Sequence, residues 1–380
     1  MANYWNSEEI FLDGDQYFDH LIRDIDLAKE YITVEIYIFS FDPLGKKVAQ
    51  HLIAAHRRGV KVQIMVDGIG TYDYFEKYHK LFSNEKVAVK IFNPLPFYHP
   101  IFEKMIFKKK IQTFFGRLWK LNQRNHRKII TIDYQVMYLG SFNFSAEHTS
   151  LHTSKKWKDV GARVSGQNVK LAILFFKKNW QLREFFRYRK QVKPLQLKDS
   201  KLSPLRLNHS LMMRRFYAKD LLQKIKKSKD RIWLVTPYFI PTPRLILALG
   251  KAARRGIDVR ILLSEKTDVK LFQTLQFFYF PFLLSKGVRV FQYRETILHA
   301  KIFILDSWVT VGSSNLNHRS ILHDLEVDLS IEEPQNKKMI MDDFILSTPS
   351  DVEITMKTLK QRTIFDRFLA RLYYLFKYWF

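Results

Sequence analysis

The chain has 380 residues, room for two domains or one large one, and its 47% hydrophobic residues suffice for packed cores. It contains no cysteine, which excludes disulfides and thiolate chemistry. A formal net charge of +26 points to a polyanionic partner, either nucleic acid or an anionic membrane surface.

In chain order, the first residues lack a basic region followed by an apolar core, so no signal peptide is expected. Residues 31–66 read as strand, helix, strand, with an apolar run over 31–39, a helix over 48–58 and a second apolar run after Gly59. A further strand is expected over 87–92. Residues 93–124 mix Phe, Ile, Leu and Trp with Lys104, Lys108, Lys109, Lys110, Arg117 and Lys120. They run directly into His126-x-Lys128, then Asp133, then Gly140-Ser141-x-Asn143. Residues 183–212 are basic, carry two prolines and show little periodicity, and read as a linker.

The pattern then repeats. Residues 231–263 again read as strand, helix, strand, and the joint Arg254-Arg255-Gly256-Ile257 matches Arg57-Arg58-Gly59-Val60. Residues 271–284 are apolar but too short, and interrupted by a proline, to span a membrane. A strand over 288–291 leads to His299-x-Lys301, Asp306 and Gly312-Ser313-x-Asn315. From Ile91 to His126 is 35 positions, against 9 from Val290 to His299, so the first half carries an insertion of about 26 residues, placed near 95–122. Strands alternating with helices predict an α/β fold of two pseudo-symmetric α/β/α sandwich domains, each a mixed sheet flanked by helices, over 8–182 and 213–345. An extension follows over 346–380, and one site is expected where the halves meet.

The spacing of the motif has a chemical reason. Side chains alternate along a strand, so His and Lys two apart share a face and form a compact phosphate-binding pair. Asn143 and Asn315 sit a short turn and strand later and are able to donate to the same oxygens, with Ser141 and Ser313 beside them as candidate substrate-binding hydroxyls. Two facing halves offer two lysines and two amides around a single phosphorus. One histidine then attacks phosphorus while the other protonates the leaving alcohol. Asp159, 33 residues after His126, and Glu326, 27 after His299, are placed to orient the imidazole rings. Asp133 and Asp306 recur in both copies of the pattern and join His126, Lys128, His299 and Lys301 as catalytic candidates, although an Asp at a strand end more often fixes a turn. A metal site on the histidines is not expected, because each has a lysine two residues away that repels a cation. No cofactor is called for.

On these residues the chain closely resembles the phospholipase D superfamily, whose signature is the duplicated HxKxxxxD with GSxN, over roughly residues 8 to 345. Asn125 to Asp133, Trp157-Lys-Asp159, Thr236-Pro-Tyr-Phe239 and Gly312 to Ser320 with Glu326 make it similar to the bacterial cardiolipin synthases. The stretch Phe144-Ser-Ala-Glu-His148 resembles their short B-type, which lacks two N-terminal membrane spans. The resemblance implies the superfamily fold and a metal-independent transfer between two phosphatidylglycerols through a phosphatidyl-histidine, with release of glycerol. It implies His126 as nucleophile and His299 as acid, and a peripheral location on the cytoplasmic side of the bacterial inner membrane. One departure is Ser307 after Asp306, where the family often has Gly.

Three segments bear on the substrate independently of that resemblance: the inserted stretch, the apolar run 271–284, and the C-terminal residues 362–380. In the last, Ile364, Phe365, Phe368, Leu369, Leu372, Tyr373, Phe376 and Trp379 fall on one helical face with basic residues mostly off it. Together with the charge they favour an anionic phospholipid surface over nucleic acid as the partner. Both half-sites lie in one chain, so a monomer suffices. The competing readings are a nuclease or other phosphodiesterase of the same superfamily, a phospholipase D that gives its intermediate to water, and a non-catalytic lipid-binding protein.

Overall fold

The computed structural model describes residues 4–71, 75–94, 123–151, 155–181, 203–267, 270–346, 352–360 and 364–374. The inserted stretch 95–122 and most of the expected linker lie outside them. The first half runs β1 (Ser7–Phe11), α1 (Gly14–Leu27), β2 (Tyr31–Ile36), α2 (Pro43–Arg57), β3 (Lys61–Asp67), α3 (Phe75–Asn84), β4 (Ala88–Phe92), β5 (Ile129–Ile132), β6 (Val136–Gly140), β7 (Gly161–Ser165) and α4 (Val169–Trp180). The second runs β8 (Leu205–Leu207), α5 (Leu211–Lys227), β9 (Arg231–Val235), β10 (Phe239–Ile240), α6 (Pro243–Arg254), β11 (Asp258–Ser264), α7 (Lys270–Gln276), α8 (Phe280–Ser285), β12 (Arg289–Tyr293), β13 (Ile302–Leu305), β14 (Trp308–Gly312), β15 (Leu316–Asn317), α9 (His318–Leu322), β16 (Val327–Ser330), α10 (Pro334–Met341), β17 (Val352–Ile354), α11 (Met356–Lys360) and α12 (Ile364–Tyr374).

Two mixed sheets result. The first has the order β1-β7-β6-β5-β2-β3-β4, and the second β17-β12-β11-β9-β13-β14-β16-β8. Read from β8, the second order repeats the first strand for strand and adds β17 at the far edge. In each sheet a parallel trio (β2-β3-β4, β9-β11-β12) meets an antiparallel set led by the motif strand, β5 or β13. Two stretches expected as connector and extension therefore supply edge strands: β8 lies within 183–212 and β17 beyond 345.

The same local devices build both halves. Asp42 caps α2 by accepting from the Gly45 amide at 2.8 Å, Pro43 opens the helix, and Gly59 at φ 95° ends it. Thr242, Pro243 and Gly256 at φ 86° do the same for α6. Buried on every residue, β2 shows why it reads as a nearly continuous apolar run. The run 231–240 is not one strand, because the chain breaks between β9 and β10 at Thr236-Pro237.

One core joins the halves. Ile129, Met137, Leu139 and Val160 of the first sheet pack with Val235, Ile302, Val311 and Val327 of the second, all buried. Separate cores lie under α1 and α2 on one outer face and under α6 and α8 on the other. The C-terminal helix α12 is docked rather than free: Tyr374 stacks on Phe278 with ring centroids 4.1 Å apart, and Ala370 is buried. Phe365 remains 65% exposed, so the apolar face expected to meet a membrane is divided between the protein and solvent. No helix among the described residues is long and apolar enough to cross a membrane.

Candidate active site

The two motifs come together because the halves exchange backbone hydrogen bonds. The His126 amide donates to Leu325 O at 3.0 Å and the Leu325 amide to Arg124 O at 2.8 Å. On the other side the His299 amide donates to Lys158 O and the Lys158 amide to Ile297 O, each at 2.8 Å. Each histidine is thereby pinned next to the residue that precedes the other half's carboxylate.

The imidazoles consequently pair across the halves. His126 Nδ1 lies 3.0 Å from Glu326 Oε2 and 3.0 Å from Ser313 O. His299 Nδ1 lies 2.9 Å from Asp159 Oδ2. A carbonyl only accepts, so the Ser313 carbonyl places the His126 proton on Nδ1 and leaves Nε2 with its lone pair. The carboxylates are held from within their own halves. Ser141 donates to Asp159 and Ser313 to Glu326. These hydroxyls, expected to bind substrate, are instead occupied in anchoring the carboxylates.

Alternation along the strand works as anticipated for the lysines. Lys128 Nζ donates to His126 O at 2.8 Å, and Lys301 Nζ lies 2.9 Å from His299 Nε2. Arg127, between His126 and Lys128 in sequence, points to the opposite face and pairs with buried Glu35 at 3.2 Å. Asn143 Oδ1 accepts from the Ile38 amide at 3.3 Å, whereas Asn315 Oδ1 is buried without a hydrogen-bond partner among the described residues. Asp133 and Asp306 sit at the far ends of β5 and β13. Asp133 accepts from the amides of Lys29, Glu30 and Tyr31 at 2.8, 2.8 and 3.0 Å. Asp306 takes those of Lys229, Asp230 and Arg231 at 3.0, 2.9 and 3.0 Å. Both lie in the left-handed region, φ 48° and 53°, which Asp tolerates. The departure at Ser307 leaves this arrangement intact.

Burial and the crowding of positive charge set the protonation states. Burial, then Lys128 and Lys301, hold His126 well below the usual imidazole range. Burial and Lys301 take His299 down to about 3. Burial likewise lowers Lys128 to about 7, with Lys301 adding to it. The carboxylates differ. Burial pushes Glu326 up to about 7, against Lys128 and the Ser313 hydroxyl. Burial also acts to raise Asp159, yet His299 and the hydrogen bonds of His148 and His299 bring it well below the usual range. His299 thus faces an ionised carboxylate, and His126 one that shares a proton near neutrality. Buried Lys128, His299 and Lys301 and the partly buried His126 act on one another electrostatically, a concentration of donors and positive charge suited to a tetrahedral anion.

Two contributors escaped the sequence reading. His148 is fully buried, accepts from the Asn143 amide at Nε2 (3.3 Å) and lies 2.9 Å from Asp159. Ser320 takes the Asn315 amide at 3.3 Å and lowers Glu326 by a hydrogen bond. Each falls five residues after its Asn, so the duplication itself contained the signal. His148, Asp159 and His299 present ligand atoms within 4.8 Å of one another, a spacing that suits a cation. The Lys301 ammonium on the other nitrogen of His299 opposes one there.

The motif is present twice, intact, with crossed carboxylates, and the family model described as "Cardiolipin synthase, PLD-like domain" matches residues 21–155 and 221–368. The chain belongs to this family. It is an enzyme of the phospholipase D superfamily, of the phosphatidyltransferase class. Among curated relatives, a cardiolipin synthase of Alkalihalophilus pseudofirmus is 28% identical over 97% of this chain and 71% of its own length. Cardiolipin synthase B of Escherichia coli K12 is 28% identical over 89% of the chain and 79% of its own. In fold, the chain matches the crystal structure of phosphatidylserine synthase from Haemophilus influenzae with a TM-score of 0.70 at 12% identity, covering 100% of this chain and 97% of the other.

Proposed function

We propose that the enzyme makes cardiolipin by moving a phosphatidyl group from one phosphatidylglycerol to a hydroxyl of a second, with release of glycerol. The observation that carries the reading is the crossed His126–Glu326 and His299–Asp159 pairing around Lys128 and Lys301. It gives two chemically different imidazoles, each paired with a carboxylate of the other half, with Lys301 acting on both.

His126 Nε2, with its lone pair free, attacks phosphorus as the bond from phosphorus to the glycerol oxygen breaks. His299 gives the leaving oxygen its proton. An anionic phosphodiester beside Nε2, together with ionised Asp159, raises the proton affinity of His299 to allow this. The terminal hydroxyl of the second phosphatidylglycerol then enters, loses its proton to His299, and attacks phosphorus. The bond from phosphorus to His126 breaks, and both imidazoles return to their starting states. Lys128, Lys301 and the Asn143 and Asn315 amides stabilise the charge on the five-coordinate phosphorus. The partners are the anionic lipid and the membrane surface that presents it, which suits the +26 charge.

The test is purified protein on phosphatidylglycerol vesicles without added metal or nucleotide. Cardiolipin and glycerol are expected, and His126→Ala abolishes the trapped phosphoenzyme. Phosphatidic acid as the sole lipid product overturns transfer in favour of hydrolysis, and cleavage of DNA with untouched lipid overturns the lipid reading.

A further inference from the structure

The two halves are not equivalent at their outer helix pairs. In the first half α1 and α2 are tied together by an ion pair of Asp19 with Lys47 at 3.5 Å and a hydrogen bond between Asp26 and His51 at 2.7 Å. Their apolar faces, including Leu21, Ile25, Val48 and Leu52, are buried in one core. In the second half the corresponding α5 and α6 also pack together, and a groove of about 850 Å³ opens along them, lined by residues of both.

Leu221, Leu222 and Leu245 line this groove and also belong to, or pack on, the second half's core. Arg215, Lys219 and Lys226 from α5, and Arg244 from α6, complete it, and all four are exposed. Among the described residues no carboxylate lines the groove. None of the four is held in an ion pair with a described residue. Where the first half puts opposite charges across the helix pair, the second puts like charges. Like charges across a gap repel, and an anion between them relieves the repulsion. An apolar lining with a cationic rim matches an amphiphile, and the volume falls in the range of small-molecule sites. The groove reaches α9, which begins three residues after Asn315, through Ile321 and Leu322.

We propose that this groove holds one molecule of anionic phospholipid, an acyl chain lying against Leu221, Leu222 and Leu245 and the phosphate between Arg244 and the α5 cations. It is a lipid site separate from the phosphorus-handling centre, and it rests on the reading that the substrates are anionic lipids. The occupant is a single lipid molecule, not a bilayer surface.

The experiment is photolabelling of the full chain carrying His126→Ala, which prevents turnover. The probe is phosphatidylglycerol with a diazirine in one acyl chain, carried in phosphatidylcholine vesicles, and attachment sites are mapped by mass spectrometry. Labelling is expected at residues 215–245. Lys219→Glu combined with Arg244→Glu is expected to cut that labelling roughly tenfold with the melting temperature unchanged. Leu222→Arg, which places a charge in the lining, is expected to cut it further. Absence of label from 215–245, unchanged labelling in the double charge reversal, or equal labelling by a diazirine phosphatidylcholine each overturns the proposal. The readout is attachment, so a protein that made no cardiolipin would still report on the groove, and an empty groove would leave the transfer reaction standing.

Discussion

Asp159 and Glu326 occupy equivalent places and carry different charges, and that difference separates the two histidines. Asp159 is ionised because two imidazoles share it; Glu326 is raised to about 7 by burial. A carboxyl whose value rises on folding adds stability on the acid side of its unfolded value, and loses it as pH climbs through the folded one. The contribution of Glu326 is therefore lost as pH rises through about 7, with Asp324, raised by burial to about 7, and Asp328, raised by burial to about 6, acting the same way, while His126, His299 and Lys128, all lowered by burial, act in the opposite sense. Activity should move oppositely, because ionised Glu326 is the better acceptor for the Nδ1 proton of His126 and makes Nε2 more nucleophilic. We expect kcat/KM to show a rising limb near 7 from Glu326 and, above it, a falling limb as Lys128, lowered to about 7, gives up its charge. Glu326→Gln should remove that rise and lower the rate roughly 10- to 100-fold, the usual effect of losing such a partner. A variant that keeps the same rising limb would dissociate Glu326 from it.

At the scale of elements, the motif strands β5 and β13 do two jobs at their two ends. One end presents His and Lys; the other uses the signature Asp to gather three backbone amides that lead into the neighbouring strand. Asp133→Ala should destabilise the fold by about 2 kcal/mol, visible as a lower melting temperature, since three amides lose one shared acceptor. The protein that remains folded should keep its turnover within a few-fold. A variant of unchanged stability and lost turnover would reassign Asp133 to the chemistry. Sequence patterning located these strands because their apolar runs are continuous. It did not anticipate β8 and β17, whose three-residue length carries too little periodicity to register. The helical spacing of 364–379 was legible too. Which part of the apolar face docks was not, because that depends on Phe278 standing opposite Tyr374.

At the scale of the whole molecule, each motif histidine depends on the half that does not contain it. Because both halves lie in one chain, mixing His126→Ala with His299→Ala protein should restore no activity. Recovery toward half the wild-type rate would place the site between two chains. By itself the sequence determined the duplication, the face shared by His and Lys, and the identity of both carboxylates, since these follow from spacing along the chain and strand alternation. Only the tertiary structure decided which carboxylate serves which histidine, that Ser141 and Ser313 serve the carboxylates, and that His148 joins Asp159. Those choices rest on the backbone bridges from 124–126 to 325 and from 158 to 297–299, contacts between residues 139 to 201 positions apart. Such contacts form only when two sheets close on a common apolar core, and no local pattern encodes them.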